Sequence, residues 1–199
     1  MKEEVKNKKY RDILSTAHAL FWKHGISRVS IEEICREANV SKMTFYRHFP
    51  DKIALAKTIL NNMFDENYSK YRELMDSDVS YEEKVRQMLL AKYEGTKDIS
   101  KELVKDIYTN KRLGLHKLWE KRASEMTKEV VQDFEKAQKE GLIRKDINLD
   151  FILYFNNKMT ELIYDPKVAA MYETTQDLIM EIANMFFYGI FPRKQNEDE

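Results

Sequence analysis

Ser30–Phe49 reads SIEEICREANVSKMTFYRHF, and its punctuation describes two short helices joined by a tight turn. Ser30 with Glu33 three residues on has the spacing of a capping box, in which each side chain satisfies a backbone N–H that the first helical turn leaves unpaired. A helix therefore starts at Ser30. Ile31, Ile34, Cys35 and Ala38 then recur at helical spacing, setting a small apolar face inward and Glu32, Glu33, Arg36 and Glu37 outward. Asn39 follows, and asparagine tolerates the left-handed backbone that stops a helix and turns it sharply. Val40 plugs this turn into the core. Ser41 caps a second helix, Lys42 to about His48, with Phe45 and Phe49 on its inner side. The other side shows Lys42, Met43, Thr44, Tyr46, Arg47 and His48. Pro50 disfavours helix in the residue before it, and Asp51 caps the next helix at Lys52.

A helix of this length, held across a partner by a short turn, is a common device for placing side chains in the major groove of DNA. Lys42, Lys52 and Arg47 suit phosphates, Thr44 and Tyr46 suit phosphates or base edges, and Met43 offers the apolar contact a thymine methyl accepts. Capped helix pairs with a solvated basic face also occur in many all-helical proteins. Spacing alone leaves both readings open.

The stretch resembles the N-terminal domain of TetR-family transcriptional regulators. The likeness runs from about Tyr10 to Leu60: a first helix ending in His24–Gly25, then SIEEICREANVSKMTFYRHFPDKIAL in the family's order. It implies a wholly helical, homodimeric helix-turn-helix repressor that reads a palindromic operator in double-stranded DNA. It also implies a variable C-terminal domain that binds a small molecule and couples it to release. Family DNA contacts carry over by position to Ser30, Lys42, Met43, Thr44, Tyr46, His48 and Lys52. Two residues depart from the family pattern. Asn39 stands where the turn glycine is common, and Met43 replaces a small residue early in the recognition helix, filling groove space that a glycine would leave open.

Composition agrees with this class. With 199 residues the chain can hold one or two compact domains, and 5 Gly with 3 Pro leave few turns. An all-α architecture is expected: a three-helix DNA-binding head joined to a helical bundle. The formal charge is zero, yet residues 1–60 hold 12 Lys and Arg against 7 Asp and Glu. That asymmetry favours a polyanion site at the N-terminal end, to which Lys6, Lys8, Lys9, Arg11 and Arg28 can add phosphate contacts. No stretch approaches the apolar length of a membrane helix and no signal-peptide core is present, so a cytoplasmic protein without membrane contact is expected. The single Cys35 falls on an inward face as a small hydrophobe. His18, His24, His48 and His116 lack ligand spacing, so neither metal nor cofactor is expected. No nucleophile elbow, phosphate loop, HExxH or clustered carboxylate pair appears, which argues against an enzyme.

Beyond Lys52 the chain reads as successive helices. One begins at Lys52, with no flexible linker before it, and would run from the head into the C-terminal core as a transmission rod. Ser80 with Glu83 opens another that ends at Gly95, and Ser100 caps a shorter one to Tyr108. A long helix from about Leu115 stops at Gly141, Asn148 caps one that Asp165 and Pro166 break, and Thr174 with Asp177 opens the last. The expected division is residues 1–51 as the head, 52–192 as the ligand-binding and dimerisation domain, and 193–199 as a disordered tail. Met63, Tyr93, Tyr108, Trp119, Phe155 and Met159 are candidates to line an adaptable apolar pocket, with ordinary core packing as the alternative for each. Phe151, Met159, Ile182, Phe186 and Gly189 are candidates for the dimer interface. A DNA-binding regulator without a small-molecule ligand and a helical interaction protein are the alternative functions.

Overall fold

The computed structural model describes the backbone of residues 2–191 and the side chains of residues 8–191; the expected tail, and Lys6 as a phosphate contact, lie outside those residues. Every described regular element is helical. The order is α1 (Lys2–His24), α2 (Ile31–Glu37), α3 (Lys42–His48), α4 (Lys52–Met75), α5 (Tyr81–Gly95), α6 (Lys101–Tyr108), α7 (Leu115–Lys139), α8 (Leu149–Glu161), α9 (Pro166–Ala169) and α10 (Thr175–Ile190), with a 3-10 turn at Leu162–Tyr164.

The starts follow from local capping. Ser30, Ser41, Ser80, Ser100, Asn148 and Thr174 each accept a hydrogen bond from the backbone N–H three residues on, which satisfies a donor the first turn leaves free. Asp51 does the same for Ala54 N–H at 2.7 Å. At Ser80 the expected reciprocal contact gives way to another. The Glu83 carboxylate accepts from Arg86 and Gln87 at 2.6–2.7 Å. Asn39 ends α2 with φ +50°, the left-handed geometry that its sequence position demanded. The break at Asp165–Pro166 carries a helix of its own, because Asp165 caps the N–H groups of Lys167 and Val168 and proline suits a first helical position.

The chain divides into two compact units, residues 1–67 with 98–122, and residues 68–97 with 123–199. Packing thus groups α6 and the start of α7 with α1–α3, although both follow Lys52 in sequence. The first unit has a core of Ile13, Ala17, Phe21, Ile26, Val29, Ile34, Phe45, Phe49, Leu55, Leu103, Ile107 and Leu115. Cys35 joins this core, where burial and then the Glu32 carboxylate push its thiol above the ordinary range. In the second unit Tyr81, Val85, Phe134, Ala137, Ile143, Ile152, Met159, Phe186 and Ile190 pack together. Asp133 there accepts hydrogen bonds from the Tyr71 hydroxyl and the Arg72 guanidinium, each at 2.8 Å. Gln138 donates to the carbonyls of Arg144 and Ile147 and so holds the turn between α7 and α8.

Candidate nucleic-acid interface

The first unit displays α3 by burying one side of it. Phe45 is fully enclosed and Phe49 nearly so, with their ring centroids 5.9 Å apart. Tyr10 of α1 stacks on Phe49 at 5.3 Å, fixing the roll of α3 against α1. The turn into α3 closes through Val40 N–H, which donates to Cys35 O at 2.9 Å.

Rolled this way, α3 turns Met43 and Tyr46 outward, 75% and 54% exposed, with Arg47 beside them. Lys42 is exposed and paired with Glu32 of α2. The pairing raises the Lys42 ammonium and lowers the Glu32 carboxyl from their ordinary values, through their mutual hydrogen bond first and their charges second. Both groups are solvated, so the pair is weak enough for Lys42 to be redirected to a phosphate. Ser30 is exposed and occupied as the cap of α2. Arg28 donates to Nδ1 of His24 at 2.9 Å.

Three residues depart from their expected settings. Thr44, read as part of the outer side, is 7% exposed, and its hydroxyl lies 3.0 Å from that of Ser41. A first-turn threonine opposite a serine cap is drawn down by that contact. His48 is half-buried, its ring 5.5 Å from that of Tyr10. Lys52 is half-buried too, and its ammonium donates to the Ser27 and Val29 carbonyls at 3.2 and 2.5 Å. Burial lowers the Lys52 pKa, partly offset by the charge of Asp106.

The six ligand candidates are shared between the two units. Tyr108 and Trp119 meet edge to face at 5.3 Å in the first unit, where Trp119 also meets Phe64 at 4.9 Å and Met63 packs on the same core. Tyr93, Phe155 and Met159 belong to the second unit. Of the dimer candidates, Met159 and Phe186 are core side chains of that unit and Ile182 packs against them. Phe151 is exposed, however, and so is Gly189, whose added Cβ would meet nothing within 4 Å. Tyr188 is exposed on the same helix, and sequence reasoning missed two further exposed apolar side chains beside them as interface residues: Tyr154 and Met185. Phe155, assigned to a ligand, joins this set, stacked on Phe151 at 5.8 Å. The signal was there, since α8 and α10 are apolar on more than one face. A groove of about 310 Å³ runs along this surface, lined by Phe151, Ile152, Phe155, Met185, Phe186 and Gly189 with Arg144 and Asp146 at its edge.

Among the described residues no group of three or more His, Cys, Asp or Glu side chains is placed to hold a metal, and no helix is long and apolar enough to cross a membrane.

Residues 13–59 match the family model described as bacterial regulatory proteins, tetR family. That span contains every DNA-facing candidate from Ser30 to Lys52. Among known proteins, the transcriptional repressor KstR2 of Mycobacterium tuberculosis is 23% identical over 154 residues, covering 75% of this chain and 76% of the repressor. The solved structure of the ketosteroid regulator KstR2 of that organism superposes with a TM-score of 0.62 at 20% identity, over 92% of this chain and 95% of the other. The fatty acid degradation regulator FadR of Bacillus halodurans superposes with a TM-score of 0.68 at 14% identity, over 93% and 97% of the two chains. At these identities the superpositions establish a shared fold.

Proposed function

From its membership of the TetR family of bacterial regulatory proteins, we infer that the chain is a cytoplasmic, dimeric repressor that reads a palindromic operator. A small apolar or amphipathic ligand bound by its C-terminal helices releases it. The observation that carries the DNA-reading part is the outward face of α3, where Met43, Tyr46 and Arg47 are exposed while Phe45 and Phe49 anchor the opposite side. Lys42, Ser30 and His48 flank that face as phosphate or base contacts, with Lys42 exchanging Glu32 for a phosphate. Met43 offers an apolar surface in the first turn of the helix, so it sets base preference rather than affinity.

Dimerisation is supported by the apolar surface of α8 and α10. Phe151, Tyr154, Phe155, Met185 and Tyr188 lie exposed together with Gly189, a composition that suits the core of an interface between two copies. Two recognition helices must then sit about 34–36 Å apart, one turn of DNA, or at a multiple of it. A ligand that switches occupancy from nearly full to nearly empty must prefer the released state by about 10⁴-fold, roughly 5.5 kcal/mol.

The names of the relatives, a ketosteroid regulator and a fatty acid degradation regulator, support a hydrophobic ligand class. A second reading is a DNA-binding regulator without a small-molecule ligand. It is favoured by the ordinary packing of Met63, Tyr108, Trp119 and Met159 in hydrophobic cores, with Tyr93 and Phe155 exposed. Selection of bound duplexes from a random DNA pool tests the main proposal: a palindrome with half-sites one helical turn apart is expected, and no enrichment over the input refutes it. A thermal-shift screen against sterols and acyl chains separates the two readings, since only the first predicts a stabilising hit.

A further inference from the structure

The turn between α1 and α2 has to set Ser30 at the mouth of α2, and two oppositely charged side chains grip it from different helices. Gly25 opens the turn with φ +80°, and a Cβ there would sit 2.8 Å from the Cβ of Glu102 on α6. The turn therefore lies against α6 at a distance only glycine permits. Ser100, the cap of α6, donates its backbone N–H to Trp22 O at 3.0 Å. Deeper in, Asp106 is 5% exposed. Its carboxylate accepts from Ser27 N–H at 2.7 Å and from the Ser27 hydroxyl at 2.5 Å. Asn110 closes the group, donating to Asp106 at 3.2 Å and to the Ser27 hydroxyl at 3.1 Å. On the other edge of the turn, the Lys52 ammonium at the start of α4 takes the carbonyls of Ser27 and Val29.

A buried carboxylate is tolerated only where donors replace its water, and here the donors come mainly from Ser27. The peptide groups flanking Ser27 are thus held by an anion at the N–H and a cation at the carbonyl. We propose that Asp106 and Lys52 are positioning residues for DNA recognition. Together they clamp the Gly25–Ser30 turn, so that the N-terminus of α2, and α3 behind it, are held in register with α4 and α6. This rests on the DNA-reading function above. It assigns Lys52 a different task from a phosphate ligand, because an ammonium has three donors and two of them already serve the turn.

The two roles leave different signatures. Removing a phosphate ligand lowers the slope of log affinity against log salt by about one unit, whereas removing a clamp weakens binding at every salt concentration with the slope unchanged. Removing Asp106 takes a negative charge from a protein that binds a polyanion, which by charge alone strengthens binding. The clamp predicts the reverse.

The test uses the full chain and a duplex recovered from the DNA selection. Asp106→Ala and Lys52→Met are each expected to weaken binding about tenfold or more, with the wild-type salt slope and wild-type helicity. Amide hydrogen exchange over residues 26–30 should accelerate in both. Ser27→Ala, a milder change, should weaken binding less, and its effect should not add to that of Asp106→Ala, because both act on one contact. Equal or tighter binding by Asp106→Ala overturns the proposal, as does a unit fall in salt slope for Lys52→Met. If Asp106→Ala loses helicity, the Ser27→Ala binding and exchange data decide, and wild-type behaviour in both overturns it. Should the wild-type chain select no DNA, the function proposed above fails while exchange over residues 26–30 still judges the clamp: unchanged protection in the variants overturns it.

Discussion

Phe45 and Tyr46 are neighbours in sequence with opposite duties, and truncating each separates the anchoring of α3 from its use. Phe45 is fully enclosed and meets Phe49 and Tyr46 through its ring at 5.9 and 5.5 Å. Removing such a ring costs about 3–5 kcal/mol, the lost transfer energy plus the cavity left behind. Alanine's better helix propensity returns at most about 0.7 kcal/mol. Phe45→Ala should therefore cost about 3–4 kcal/mol, a large part of the roughly 5–15 kcal/mol that holds a folded domain. Tyr46 is 54% exposed, and its largest packing contribution is the edge-on contact with Phe45, worth about 0.5–1.5 kcal/mol. Tyr46→Ala should stay within about 1.5 kcal/mol of wild type in stability while DNA affinity falls. Urea unfolding followed by tryptophan fluorescence suits the comparison, because Trp22 and Trp119 both pack on the first-unit core that contains Phe45. Anisotropy titrations supply the DNA arm. A loss of less than about 1 kcal/mol for Phe45→Ala, or equal destabilisation by both changes, would refute the assignment of inner and outer faces to α3.

Other expectations follow from single contacts. Lys42→Ala should lower the salt slope of DNA binding by about one unit, while Glu32→Gln, which frees Lys42 from its pair, should tighten binding in the same titration. Asn39 holds φ +50°, so Asn39→Gly should keep full stability in urea and Asn39→Val should lose roughly 1–2 kcal/mol. Phe155→Glu combined with Tyr188→Glu places charge on the exposed face of α8 and α10 and should yield a monomer by light scattering, with wild-type helicity. The Glu83 carboxyl is held down to about 2 by its hydrogen bonds to Arg86 and then Gln87. Since its folded value lies below the ordinary 4.5, its contribution is complete above that pH and lost as pH falls towards 2. A side-chain carboxyl NMR titration with a midpoint above 4 would contradict it.

Much of the fold was legible in the residues because its signals are short-ranged. A serine cap and the N–H it accepts lie three residues apart, and the left-handed turn at Asn39 is a property of one residue. The starts of α2, α3, α5, α6, α8 and α10 could therefore be read without any tertiary contact, as could the burial of Phe45 and Phe49. The family likeness extended that reading to the DNA-facing set. At Thr44 the pattern misled, because a first-turn hydroxyl counts as polar in any periodicity although the Ser41 hydroxyl is enough to satisfy it at 7% exposure. Met159 and Phe186 were open to either reading, since an apolar residue at helical spacing fits an interface as well as a core. Only packing put them inside and left Phe151, Tyr154 and Tyr188 outside.

What tertiary structure alone decided is the fate of the charges around Ser27. Asp106 stands 79 residues from Ser27, and Lys52 stands 25 from it on the other side of the recognition unit. Nothing in the periodicity of α4 or α6 ties either residue to that turn. Local rules of capping, spacing and backbone preference act over a few residues and determined the helices and the outward face of α3. A buried carboxylate or a captured ammonium depends on which donors and carbonyls the folded chain brings within 3 Å or so, and that the fold alone settles.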